Sequence, residues 1–172
     1  MRTMAIIILG FACAATGYFG ALTLYPAAFT RIALAKIAAD GARPNQWFLR
    51  PQATASSRAV VQPAPDMLYA GCLYDLSGAD LDVAAPDLGG PVYVSVYDDR
   101  GEHVFTATDQ TSQQGIAFRL TTNARATRGA VVTTRRGLVI ERRLASDADA
   151  FAEAETRRAA STCRPVAPEP RR

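Results

Sequence analysis

The chain has 172 residues, a formal net charge of +3, 49% hydrophobic and 20% charged residues, which suits one domain of ordinary size beside a membrane segment. Its basic residues are nearly all Arg and are scattered, at Arg50, Arg58, Arg100, Arg119, Arg125 and Arg128. That scatter excludes the clustered positive footprint with interleaved aromatics that nucleic-acid binding needs.

No charged residue occurs between Thr3 and Thr30, and the apolar centre of that stretch runs from Met4 to Leu24. As a helix this centre is roughly 31 Å long at about 1.5 Å per residue, enough to span a bilayer core. We therefore expect a single-pass transmembrane anchor over residues 1–25. Gly10, Ala14, Gly17 and Ala21 recur at spacings that allow close approach of another helix. A cleaved signal peptide is the competing reading, with Ala12-Cys13-Ala14 as its cleavage site, but strong hydrophobicity resumes beyond it. Lipidation of Cys13 is disfavoured because Gly10-Phe11-Ala12 lacks the branched aliphatic residue expected before such a cysteine.

Two signals bear on orientation and conflict. Arg31, Lys36, Arg43 and Arg50 follow the helix, and a positive-inside count keeps the domain in the cytoplasm. Against this, Cys72 and Cys163 are the only cysteines beyond the anchor, an even number suited to one bridge in an oxidising compartment. The expectation is a bacterial inner-membrane protein with a periplasmic C-terminal domain.

Residues 26–65 read as a juxtamembrane helix and linker. Pro26 suits a first helical turn, Phe29, Ile32, Ala33 and Ile37 keep near-helical spacing, and Asp40-Gly41 supplies a stop. The helix is either continuous with the anchor or kinked at Pro26. Trp47 then sits at the membrane interface or caps the core, and Gln52 to Pro65 is linker-like.

Residues 66–163 form a β-rich domain with a C-terminal helix. Runs of β-branched and aromatic residues predict strands over Met67–Asp75, Leu81–Ala85, Val92–Tyr97, His103–Thr108, Ile116–Thr121, Ala130–Thr134 and Leu138–Leu144. With no helices between them they make an antiparallel, mostly meander-like sheet or sandwich. Asp98-Asp99-Arg100-Gly101 and Arg135-Arg136-Gly137 read as hairpin turns. Alternation sends Val92, Val94 and Val96 to the core and leaves Tyr93, Ser95 and Tyr97 on a half-polar, partner-facing side. Leu68, Ala70 and Cys72 share an interior face. A helix from Asp147 to Thr162, N-capped by Ser146, packs on the sheet and ends at Cys163. Residues 164–172 form a disordered tail. The fold class is thus α+β.

No nucleophile elbow, phosphate loop, dinucleotide fingerprint or paired-cysteine zinc pattern occurs, so no cofactor or metal is expected. His103, the sole histidine, reads as a surface or turn-adjacent imidazole. Asp98, Asp99 and Asp109 surround one hairpin, but their spacing fits no cation loop. Asp66, Tyr69 and Asp75, with Tyr74, are the only candidates for acid-base work, and strand-end hydrogen bonding is the plainer role for such residues. Cys72 and Cys163 are a disulfide candidate that would tie the first strand to the end of the C-terminal helix. A small buried hydrophobe beside an incidental thiol is the alternative.

Pro65-Asp66-Met67-Leu68-Tyr69, followed by Cys72-Leu73-Tyr74-Asp75-Leu76-Ser77, resembles a bacterial family, domain of unknown function twelve-fifty-four. Pro91 to Asp98, Val104 to Asp109 and Arg136 to Arg142 continue the likeness. Met67 departs from the Thr usual there in longer relatives. The resemblance implies a β-rich fold, no assigned activity or cofactor, and a short membrane-anchored form without the sister domain, twelve-fourteen, carried by a separate chain. The expected function is an anchored envelope module that binds the bilayer through its helix and docks that sister-domain protein. The alternative is a subunit of an envelope hydrolase whose active site is completed in a complex.

Overall fold

The computed structural model describes residues 2–54, 57, 63–86, 90–108, 115–123 and 129–166. One uninterrupted helix, α1 (Arg2–Ala39), opens the chain and carries Pro26 in its interior. Its apolar N-terminal part is long and hydrophobic enough to cross a membrane, with none of that stretch buried by the protein. Thr16 and Thr23 return their hydroxyls to the carbonyls of Ala12 and Phe19, so both are satisfied without water.

The remainder is a two-layer β-sandwich with one helix. The strands are β1 (Trp47–Leu49), β2 (Met67–Asp75), β3 (Asp80–Ala85), β4 (Val92–Asp98), β5 (His103–Thr108), β6 (Ile116–Thr121), β7 (Val131–Val132), β8 (Arg136–Leu144) and β9 (Thr162–Val166). Helix α2 (Ala148–Ala159) precedes β9. The first sheet has the order β1-β2-β8-β4-β5 and the second β7-β6-β3-β9. All pairings are antiparallel except the short β6–β7 pair.

Seven of these strands fall where period-two alternation places them, but the pairing is not a meander. The chain passes repeatedly between sheets, and β8 inserts between β2 and β4. Each sheet turns one apolar face toward the other, so a strand finds its neighbour by closing the core rather than by proximity in sequence. Val92, Val94, Val96, Val139, Cys72, Leu81, Val83 and Leu120 make that core. Half-buried Trp47 packs against it, which settles its role as a cap on the core rather than a ring at the interface.

Four expectations are corrected. Asp147, not Ser146, caps α2: its carboxylate accepts from Ala150 N at 2.9 Å, and Ser146 instead donates its hydroxyl to Asp147 Oδ2 at 3.2 Å. Cys163 lies in β9 rather than at a helix end, and the segment read as tail begins with strand residues Arg164–Val166, paired with β3. Pro165 at a sheet edge is compatible with a strand because the edge leaves an amide unpaired anyway. Gly137 is not a turn glycine. It sits inside β8, where a Cβ would collide with the Tyr97 carbonyl and the Tyr74 hydroxyl, so close packing selects it. The Asp98–Gly101 hairpin is as expected: Gly101 takes φ +85°, and Asp98 accepts from the amides of Arg100 and Glu102, each at 2.8 Å.

Cys72 and Cys163 form a disulfide with Cα atoms 6.4 Å apart across the sandwich. It joins β2 in one sheet to β9 in the other. Helix α2 covers the end of the inner face that the second sheet leaves open, packing Phe151 and Ala154 on Leu68 and Ala145.

Candidate functional site

The outer face of the five-stranded sheet carries a recess. The register puts Tyr69, Gly71 and Leu73 of β2 opposite Arg142, Ile140 and Leu138 of β8, which in turn oppose Tyr93, Ser95 and Tyr97 of β4. All nine share the outer face. The C-terminal third of α1 leans across part of it, so Phe29, Thr30, Ala33, Leu34 and Ile37 form one wall and Phe48, Tyr69, Tyr97, Leu138, Ile140 and Arg142 the other. The cleft is open to solvent on one side and has a volume of about 840 Å³, within the range of small-molecule sites.

Local contacts hold the helix there. Gly101 in the β4–β5 turn lies against Thr30, so near that an added Cβ would meet Oγ1 at 2.5 Å. Arg31 reaches Asp99 at 3.7 Å, and Asp40 at the far end pairs with Arg50 at 3.4 Å. Both ion pairs are solvent-exposed and contribute little energy individually. Burial of Ile37 and the fit at Gly101 set the position.

Arg142 is the singular group of the cleft. It is half-buried, donates Nη2–H to Ser95 Oγ at 2.9 Å, and has no carboxylate partner among the described residues. Its Nε is buried with no acceptor. Ser95 also shares a hydrogen bond with Thr106 at 3.0 Å. The other charged residues lining the cleft, Asp40 and Arg50, offset one another, which leaves a net single positive charge.

The expected partner-facing residues share one face but differ in access. Tyr93 is 39% exposed, Ser95 only 3% exposed. Tyr97 is half-buried, lines the cleft and meets the His103 ring edge-on at 5.3 Å. His103 Nε2 in turn lies 2.6 Å from Thr106 Oγ1. Alternation assigned the face correctly but carried no sign that α1 covers half of it.

The candidate acid-base residues are not brought together. Asp66 and Asp75 flank β2 from opposite ends, about 30 Å apart at roughly 3.3 Å per residue. Asp66 is exposed, and its carbonyl accepts from Ala145 N. Asp75 accepts from Ser77 N at 2.9 Å and from Arg136 Nε at 2.9 Å. The Ser77 hydroxyl bond, foremost, and the Arg136 guanidinium hold its carboxyl below the usual range. Tyr69 lies on the cleft wall and accepts from Ala64 N at 3.1 Å. Tyr74 points the other way, into the core, and bonds Thr133 Oγ1 at 2.7 Å. Burial pushes it up to about 12. Asp109 of the suggested cation cluster lies outside the described residues, and the Asp98 carboxylate is engaged by its own turn.

A second polar cluster escaped the sequence reading. Glu141 and Arg143, both on the inner face of β8, are fully buried and paired through Oε1 and Nε. Arg143 Nη2 also donates to the Pro86 carbonyl at 2.9 Å. Burial raises the Glu141 carboxyl above its ordinary value, opposed by Arg143, Ser161 and Arg158. Ser161 lies near enough to favour the carboxylate, and neither its Oγ nor Glu141 Oε2 has a hydrogen-bond partner. Arg158 donates to the carbonyls of Arg50 and Tyr69, both at 2.6 Å, and pairs with Glu155, so it ties α2 to β1 and β2. The signal for both sites was available in β8. Leu138, Ile140 and Arg142 alternate with Val139, Glu141 and Arg143, and a strand apolar on both faces is a strand covered on both.

The model of a protein family of unknown function, DUF1254, matches residues 44–165. No curated protein matches the chain. The fold is similar to that of the VPA0106 protein from Vibrio parahaemolyticus, known from its crystal structure, with a TM-score of 0.59 at 12% identity over 86% of this chain and 40% of that one. An uncharacterized protein from Burkholderia cenocepacia gives a TM-score of 0.47 at 11% identity over 85% of this chain and 42% of that one. The chain therefore spans about two fifths of the length of these two proteins.

Proposed function

From the premise that the chain belongs to the DUF1254 family, we propose that it is a single-pass, membrane-anchored envelope module that binds a partner protein and carries out no reaction by itself. The anchor is the N-terminal part of α1 in the bacterial inner membrane, and the β-sandwich stands on the periplasmic side. The Cys72–Cys163 bridge supports that side, since such a bond persists in an oxidising compartment. The described residues bring no nucleophile, base and orienting group together, so no catalytic step is proposed.

The observation that carries the binding reading is the free end of the outer sheet face. There Tyr93 is exposed beside β5, which is the terminal strand of its sheet and exposes His103 and Thr106. An edge strand with an aromatic beside it is a surface for strand addition. In the similar Vibrio structure the same fold occupies only part of a longer chain, and the partner proposed for this chain is a protein carrying the sister domain.

Two measurements test this. A periplasm-dependent reporter fused after Arg172 is expected to be active, and activity of a cytoplasm-only reporter instead would overturn the orientation. A photo-crosslinking residue at Tyr93 or Thr106 is expected to capture the co-expressed sister-domain protein, whereas one at Val132 on the other sheet is not. Capture at Val132 alone would place docking elsewhere.

A further inference from the structure

Arg142 stands in a mostly apolar cleft, holds one hydrogen bond to Ser95, and has a buried Nε–H without an acceptor. A guanidinium is charged at any physiological pH and carries five donors. Partial removal from water without a counter-ion is costly unless an anion restores the balance. Asp40, the one acidic residue at the cleft, is engaged by Arg50 at the far end of the helix. What is missing is therefore one negative charge with acceptor oxygens beside Arg142.

Most of the remaining lining is apolar. Leu34 of α1 faces Phe48 of β1 and Ile140 of β8 across the cleft, and burial of apolar surface there favours a ligand with an alkyl body. We propose that this cleft binds a long-chain carboxylate, with the alkyl chain between α1 and the sheet and the head group on the Arg142 guanidinium. One guanidinium balances one charge, and its planar fork matches a carboxylate. The cleft also has a natural supply: α1 forms one wall, and the apolar N-terminal part of the same helix is long enough to cross a bilayer. The site is distinct from the Tyr93 and β5 surface assigned to a protein partner, so either can fail without the other.

The test uses the full chain in phosphatidylcholine nanodiscs with diazirine-bearing hexadecanoic acid as the probe, and crosslinks are mapped by peptide mass spectrometry. The β1 and β8 peptides are expected to be labelled. Arg142→Ala should lower that labelling roughly tenfold or more, as loss of a charge-assisted contact implies, while labelling of the Met4–Leu24 stretch stays unchanged. The corresponding diazirine alcohol should label the cleft of the unmodified protein no better than the acid labels Arg142→Ala. Leu34→Trp fills the cleft from the helix side without touching the sheet, and should abolish cleft labelling with the guanidinium intact. An intact Cys72–Cys163 bridge in each variant reports folding. Labelling confined to Met4–Leu24, cleft labelling equal in Arg142→Ala, or equal labelling by acid and alcohol would each overturn the proposal.

Discussion

Glu141 and Arg143 show what a buried charge pair does to its surroundings. Each has almost no solvent contact, so removing one strands the other. Arg143→Met is expected to destabilise the domain by about 3–5 kcal/mol, and Glu141→Leu combined with Arg143→Met to recover most of that loss, because two well-packed apolar residues avoid the desolvation of both ions. Urea unfolding of the full chain in detergent checks both. The pH dependence has a definite sign. Burial raises the folded-state value of Glu141 above its ordinary 4.5, so the native state binds the proton more tightly than the unfolded chain does. The resulting contribution is fully present below the unfolded value and is lost as pH rises through the folded one. Relative to Glu141→Gln, the unmodified protein should therefore lose stability as pH rises through that window, and a difference that does not change with pH would contradict the assignment.

At the scale of elements, the strands and the bridge differ in how far residues alone could reveal them. Val92, Val94 and Val96, and likewise Leu68, Ala70 and Cys72, mark their strands because side chains alternate with period two and one face is buried. The packed C-terminal helix was readable from its acidic first turn, the α+β class from that helix beside the strands, and the likeness to DUF1254 from the motifs at Pro65–Tyr69 and Cys72–Ser77. Trp47–Leu49 escaped because three residues carry no period, and Thr162–Val166 because Pro165 suggests a chain end. Neighbour relations such as β2–β8 were not legible, since pairing between residues some seventy positions apart is decided by closure of the core. The two-sided apolar pattern of β8 marked a covered face, but that α1 covers it was not legible for the same reason: Leu34 and Arg142 come to line one cleft only after the sheet is complete. Cys72 and Cys163 were readable as a disulfide candidate because they are the only cysteines beyond the anchor, and the bridge forms, although Cys163 reaches it from a strand. With 91 residues between its ends, the bridge contributes up to about 4–5 kcal/mol in the chain-entropy model. Reduction, or Cys72→Ser with Cys163→Ser, should lower the thermal midpoint and leave α1 helical. An unchanged midpoint by near-ultraviolet circular dichroism would show that the two sheets hold together without it.

At the scale of the whole molecule, the family match begins at residue 44, after α1 has ended. One wall of the cleft thus comes from the shared fold and the other from a helix outside the matched segment. The 38 residues of that helix make a rod of about 57 Å, and a bilayer core accounts for only about 30 Å of it. The remainder is clasped by the domain at Thr30 and Ile37.

Such a rod has no swivel. If the N-terminal part is fixed in lipid, the azimuth of the β-sandwich about the membrane normal is set by the number of residues between the two gripped ends. Each residue added to a helix turns everything beyond it by about 100°. One alanine inserted between Thr23 and Leu24 should leave anchoring, folding and the bridge intact yet swing Tyr93 and the β5 edge to a different compass bearing. Against a membrane-embedded partner, crosslinking from Tyr93 should collapse with one inserted residue and largely return with four, slightly more than one full turn. Capture insensitive to both insertions would mean that the helix bends freely at Pro26 and that the bearing of the domain is not geared to the membrane.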